Sequence, residues 1–236
     1  MNRLILELLF IALTVAAYGI GVYLYRKSRV MVLHTVIIAT AIIILFLKIT
    51  NTDLELYEAN TKILRFLLNL SVVTFGYLLY KHYNYIKKRG IAIMTATFMG
   101  SLASLTVISA VLILMGAKME TIITIMPKSI TTPIAIVLSE QMGGVVYLTA
   151  VVVILSGIFG AVLGSFFLKL FGIKSRLAKG LAMGSAAHGI GTAKALEMGA
   201  LEGAAGGLAI ALMGFFTSVL MPVIVPFIRV IIFKTT

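Results

Sequence analysis

The sequence contains no cysteine, which excludes a disulfide framework and any thiolate metal site and leaves the redox compartment unread. Charge is scarce as well: 12% of residues are charged, only eight of them acidic, against 61% hydrophobic residues. A soluble domain of 236 residues must cover its outside with charge, and this chain has too little to do so. Prolines number four, so the pair Pro127 and Pro133 stands out. No nucleophile–base pattern, phosphate loop or dinucleotide fingerprint is present. Gly189-Ile190-Gly191 follows a membrane segment instead of a strand, so a Rossmann reading fails on context. No enzyme activity and no cofactor are expected.

What is present is apolar sequence in runs as long as a bilayer is thick. A spanning helix needs ~20 apolar residues, because the hydrocarbon core is ~30 Å deep and each helical residue rises ~1.5 Å. Leu4–Tyr25, Val30–Leu47, Ile63–Tyr80, Ile91–Ala117, Val145–Phe171 and Ala204–Phe233 meet or approach that length. The expected class is an all-α polytopic membrane protein. The first run is too long for a secretory signal, and Arg26, Lys27 and Arg29 follow it where a cleavage site would need small residues. It is expected to be a retained helix.

The net charge of +12 would suggest nucleic acid in a soluble protein. Here eleven of the 20 Lys and Arg fall in three clusters, at 26–29, 81–89 and 169–179. Short cytoplasmic loops collect such residues, which orient the chain and sit against anionic head groups. With no aromatic-rich soluble surface to stack bases, nucleic acid is excluded as a partner. The loop Lys48–Lys62 differs, since Asp53, Glu55 and Glu58 balance its lysines.

If the basic loops are cytoplasmic, the amino terminus is outside and the fourth span ends outside at Lys118. The fifth span must also start outside to end at the 169–179 cluster. The stretch 121–144 therefore begins and ends on one side. Proline removes a helical donor and clashes with the preceding turn, so Pro127 and Pro133 break this stretch. Broken backbone at membrane depth is tolerated only inside protein or beside water. A second stretch, 180–203, shares the plan of apolar arm, small polar tip and second arm. Each follows a long span, and those spans point in opposite directions. Paired interrupted segments of this kind point to a transporter with inverted repeats. The expected architecture is about six full spans plus two re-entrant or discontinuous segments, with residues 1–90 as scaffold helices and 91–236 as a transport-like core.

Polar side chains outside the basic clusters concentrate in these two segments. The first holds Lys128, Ser129, Thr131, Thr132, Ser139, Glu140 and Gln141; the second holds His188, Thr192, Lys194, Glu197 and Glu202. Apart from Glu202, these residues together with Pro133, Gly189 and Gly191 are the candidate substrate-binding residues. Ionisable groups at membrane depth tend to face a cavity and carry function. Proline suits the first turn of a helix and either preceding threonine suits its cap. Helix starts favour an anion, so hydroxyls, amides and a lysine together make a carboxylate cradle. Plainer readings stand beside this one. Lys128 would be a surface lysine, Glu140 and Glu197 structural locks, and His188 a packing residue; Lys194 and Glu197 are spaced i,i+3. The glycines after 189 would serve close helix packing. Glu140, His188 and Glu197 lack diagnostic metal spacing, so no metal is expected. His34 and His82 lie in a plain span and a basic loop and are assigned nothing.

At these segments the chain resembles the LrgB/CidB family. The resemblance rests on Met126-Pro127-Lys128-Ser129-Ile130-Thr131-Thr132-Pro133-Ile134-Ala135, on Ser139-Glu140-Gln141-Met142-Gly143-Gly144, and on Ala187-His188-Gly189-Ile190-Gly191-Thr192-Ala193-Lys194-Ala195-Leu196-Glu197. It covers roughly residues 91–226. The front third diverges: Asn69-Leu70 and Leu78-Leu79-Tyr80-Lys81 replace a Gly-Pro pair and a later proline, so no role is carried over for the third span. The resemblance implies a multi-pass plasma-membrane protein, described in the family as a modulator of murein hydrolase activity and lysis, acting with small LrgA/CidA partners. Relatives are linked to transport of glycolate, glycerate or pyruvate. The expectation taken forward is a small-carboxylate transporter of the bilayer working by alternating access, coupled to H+ or Na+ if to any ion, and a homodimer through its front helices. The alternative is an antiholin-like regulator of lysis with no substrate of its own.

Overall fold

The computed structural model describes residues 3–28, 35–64, 66–67, 70, 77 and 80–235. The chain forms two compact units, Met1–Thr74 and Phe75–Thr236. Among the described residues it is helical and has no strand. Four helices there are long and apolar enough to cross a membrane: Leu4–Ser28, Gly90–Leu114, Val146–Leu170 and Ala200–Val230.

In the first unit, α1 (Arg3–Ser28) packs on α2 (Thr35–Ile49). Gly21 lets the helices touch, since a side chain there would meet the Thr35 backbone. The 15 residues of α2 reach ~22 Å, short of the hydrocarbon core. The expected second span is thus incomplete within the described residues; His34 and the rest of its start lie outside them. Where a loop was expected between Lys48 and Lys62, the chain turns by 119° into α3 (Leu54–Asn60). That helix forms because Tyr57 has a site to fill: its ring meets Phe10 edge-on at 5.5 Å and its hydroxyl lies 2.7 Å from Thr14 Oγ1. Most of the expected third span, with Asn69, Leu78 and Leu79, lies outside the described residues.

The second unit starts with the short α4 (Tyr83–Lys87) and continues into α5 (Gly90–Leu114). The first interrupted stretch follows as α6 (Met119–Ile125) and α7 (Thr132–Met142). Pro133 sits in the first turn of α7 and Thr131 at its cap position, but neither threonine hydroxyl makes the expected capping bond. Gly143 closes α7 in the left-handed conformation, φ 90°. The chain reverses here: Ser139, near the end of α7, shares the Thr149 hydroxyl with the Thr124 carbonyl of α6. Ile122, Ile123, Met126 and Ile130 of this stretch are buried against Leu105, Val153 and Met213.

Next come α8 (Val146–Leu170), α9 (Arg176–Met198) and α10 (Ala200–Thr235). The second interrupted stretch is α9, which is two arms joined at Ala187 and His188, where the backbone leaves helical values. The arms fold back on one another. Gly191 abuts Met183, and Gly199 abuts the Arg176 guanidinium. The first arm runs beside the start of α10, with Gly180 against Glu202 and Gly184 against Gly206. The second runs against it in the opposite sense, with Leu196 at Gly203 and Thr192 at Gly206. In a bilayer, lipid tails are as apolar as leucine, so such backbone-to-backbone approach holds helices together by dispersion. Gly184→Val would push its branched side chain into the Gly206 carbonyl. It is expected to destabilise the protein by ~1–3 kcal/mol, the cost of overpacking a tight contact, seen as a lower unfolding temperature in detergent.

Candidate functional site

The break between α6 and α7 and the first arm of α9 meet α5 around a cavity of about 460 Å³. Lys128 and Ser129 enter from the break, Gly100 and Ser104 from α5, and Ser185 and Ala186 from α9. Lys128 is half-buried, its Nζ donating to Ser129 Oγ at 3.0 Å. Ser129 Oγ lies 3.0 Å from Ser104 Oγ, so one cation and two hydroxyls form a chain. Lys128 has no carboxylate partner among the described residues. A desolvated cation surrounded by hydroxyls and lacking an acid accepts an anion.

His188 does not line this cavity. It is buried, and its Nε2 donates to the Val153 carbonyl of α8 at 3.0 Å. That bond requires the proton on Nε2, because a carbonyl only accepts. Gly157 makes room for the ring, since a side chain there would overlap it. His188 itself has φ 40°, a left-handed value a histidine rarely adopts. Thr192 is fully buried and its hydroxyl has no hydrogen-bond partner among the described residues. In a continuous helix that hydroxyl would bond the carbonyl four residues back, which here belongs to the distorted His188.

The LrgB-like family model matches residues 14–227. The chain belongs to that family. It is similar to proteins named "Antiholin-like protein LrgB" from Bacillus mycoides (strain KBAB4) and Bacillus cereus (strain B4264), at 35% identity over 219 residues, 92% of this chain and 95% of theirs. The Bacillus anthracis (strain CDC 684 / NRRL 3495) protein of the same name matches equally. No solved structure matches the chain.

The other residues singled out in this LrgB-like sequence fall in several places. Thr131 and Thr132 are half-buried and Pro133 is exposed, and none of the three lines the Lys128 cavity. Ser139 is buried and serves the α7–α8 contact through Thr149. Glu140 and Gln141 are exposed, and no lysine pairs with Glu140 among the described residues. Gly189 is exposed, whereas Gly191 is buried against the first arm. Lys194 and Glu197 pair with each other at the surface. The arrangement of Thr131 and Thr132 with His188 and Thr192 around one ligand is therefore not what this structure assembles; Lys128 and Ser129 with Ser104 and Ser185 is.

Ser104 was missed because it stands in an ordinary-looking helix, and Ser185 because it stands in what reads as an apolar arm of the second interrupted stretch. The signal for Ser104 was the stripe of Gly100, Ser104, Val107, Ile108 and Val111, which repeats at helical spacing on one face of α5. A second feature ties the base of α9. Arg176 Nε and Nη2 each donate to a Glu202 carboxylate oxygen at 2.9 Å, with Glu202 buried and Arg176 exposed. The hydrogen bond first, and the charge second, raise the Arg176 guanidinium pKa above its ordinary value. Arg176→Ala leaves a buried carboxylate unpaired and is expected to cost ~1–3 kcal/mol. The check is the unfolding temperature in detergent, where Glu202→Gln in the Arg176→Ala background should recover most of the loss.

Proposed function

We propose that this LrgB-like chain is an antiholin-like regulator of murein hydrolase activity and cell lysis in the plasma membrane. The reading is carried by the 35% identity to proteins named antiholin-like over 92% of the chain. A second reading, transport of a small carboxylate such as glycolate, glycerate or pyruvate, is favoured by its own observation: the unpaired Lys128 among hydroxyls at a cavity. The two join if the carboxylate flux is what governs lysis. The proposed architecture has six full spans and two re-entrant hairpins entering from opposite faces, as an inverted repeat. In support, the arms of α9 pair in reverse and the Arg176–Glu202 pair puts both ends of that hairpin at one level. The front helices form a homodimer, a small LrgA/CidA-type membrane protein is a partner, and H+ or Na+ is the coupling ion. The protein carries out no covalent chemistry.

The test pairs two assays. Cells expressing the chain are scored for autolysis rate, and proteoliposomes for uptake of labelled glycolate, glycerate and pyruvate, each with wild type and Lys128→Gln. Loss of both activities in Lys128→Gln supports carboxylate flux as the means of lysis control. Lysis control that survives in Lys128→Gln, with no uptake by wild type, leaves a regulator without substrate. No effect of the wild-type chain on autolysis sinks the first reading.

A further inference from the structure

Outside the Lys128 cavity, the second unit has an apolar groove of about 490 Å³ between α8 and the first arm of α9. Phe159, Leu163, Phe167 and Phe171 line it along one face of α8, with Met183 and Ala186 opposite. The three phenylalanines also stand exposed, at 49%, 45% and 72%. From Phe159 to Phe171 the helix rises ~18 Å, close to half of the ~30 Å hydrocarbon core. The groove therefore runs from mid-helix to the helix end, the depth of a single leaflet.

Charge collects at its open end. Ile173 lines the groove and Lys174 follows it directly. Lys179 stands one turn before Ala182 and Met183, which line the groove. Neither lysine forms a salt bridge among the described residues; Arg176 between them is held by Glu202, whose carboxylate also feels the charge of Lys179. A groove one leaflet deep, with Lys174 next to its lining residue Ile173 and Lys179 one turn from its lining residues Ala182 and Met183, matches one molecule in both shape and charge. We propose that it holds an acyl chain of an anionic phospholipid, whose phosphate lies between Lys174 and Lys179. The bound chain would also brace the arm of α9 that separates groove from cavity, since Ala182 and Ala186 line both.

The experiment uses the full chain in mild detergent with equimolar phosphatidylglycerol and phosphatidylcholine, read by native mass spectrometry. Two lysines beside a phosphate predict retention of phosphatidylglycerol over phosphatidylcholine by roughly ten- to thirtyfold. Lys174→Gln with Lys179→Gln should bring that preference down to about twofold or less, since only the head-group attraction is removed. Leu163→Trp fills the groove and should lose both lipids at an unchanged elution volume. If that variant fails to fold, the lysine pair decides alone. Equal retention of the two lipids by wild type overturns the proposal, as does a preference that survives in the double-glutamine variant. A crosslink between two copies at Phe167→Cys overturns it too, making the groove a seat for a second chain.

Discussion

Lys128→Met is expected to raise the unfolding temperature while lowering carboxylate uptake ten- to a hundredfold. Two physical effects with opposite signs lie behind this. Lys128 is half-buried, and among the described residues its ammonium is compensated only by the Ser129 hydroxyl. A partly desolvated charge without a counter-charge costs stability in the empty protein, and methionine of similar length removes that cost. Under the transport reading, the same charge supplies the charge-assisted contact to the substrate carboxylate, worth ~1.5–3 kcal/mol, or roughly ten- to a hundredfold in affinity. Proteoliposome uptake and thermal unfolding on one preparation check both halves. Lys194→Met is the control, because Lys194 already has Glu197 at the surface and should change neither quantity much. Should Lys128→Met destabilise the protein and leave uptake intact, the lysine is a structural element and the cavity is not the passage.

At His188 the expected order of stability is wild type, then His188→Gly, then His188→Ala, the reverse of the usual helix ranking of the two replacements. Alanine ordinarily exceeds glycine by ~0.5–1 kcal/mol in a helix, because glycine loses more backbone freedom. His188 instead sits at φ 40° and ψ −128°, where a side chain is strained and glycine is at ease. Such strain is of order 1–3 kcal/mol and persists only where surrounding structure holds it. The holding contacts are the bond from Nε2 to Val153 and the ring's packing over Gly157. His188→Ala removes both and keeps the strain, for an expected loss of ~2–4 kcal/mol. His188→Gly removes both but relieves the strain, recovering ~1 kcal/mol or more of that loss. Unfolding temperatures of the three proteins in one detergent decide the order. An alanine variant more stable than the glycine variant would mean that residue 188 is not strained in solution.

Hydrophobic run length, read along the chain, located the long helices. Ile91–Ala117, Val145–Phe171 and Ala204–Phe233 were expected, and Gly90–Leu114, Val146–Leu170 and Ala200–Thr235 were found. Bilayer thickness acts on each residue independently of its neighbours in space, so a single strand of letters carries that information. The two breaks were legible for a similar reason. Pro127 and Pro133 act on their own backbone, and the small polar run His188-Gly189-Ile190-Gly191-Thr192 interrupts the second apolar stretch locally. The short α3 was not legible, because it depends on Phe10 and Thr14 receiving Tyr57 from more than forty residues away.

The membership of the site divides along the same line. Which segments hold polar groups was plain from sequence, and Lys128 and Ser129 stand in the break between α6 and α7. Which of those groups share a space depends on helix rotation and on the direction each side chain takes at a kink. Sequence alone put His188 with the anion site, yet the reversal at Ala187 and His188 turns its ring onto Val153, leaving Ser185 of the same arm at the cavity. Ser104 could be placed there only once α5 was docked against the break. Composition and run length thus determined a helical membrane protein with two broken segments, since those are properties of the chain taken residue by residue. Only the tertiary structure decided that a lysine and three serines face one cavity, because that follows from how α5, the α6–α7 break and the first arm of α9 dock against one another.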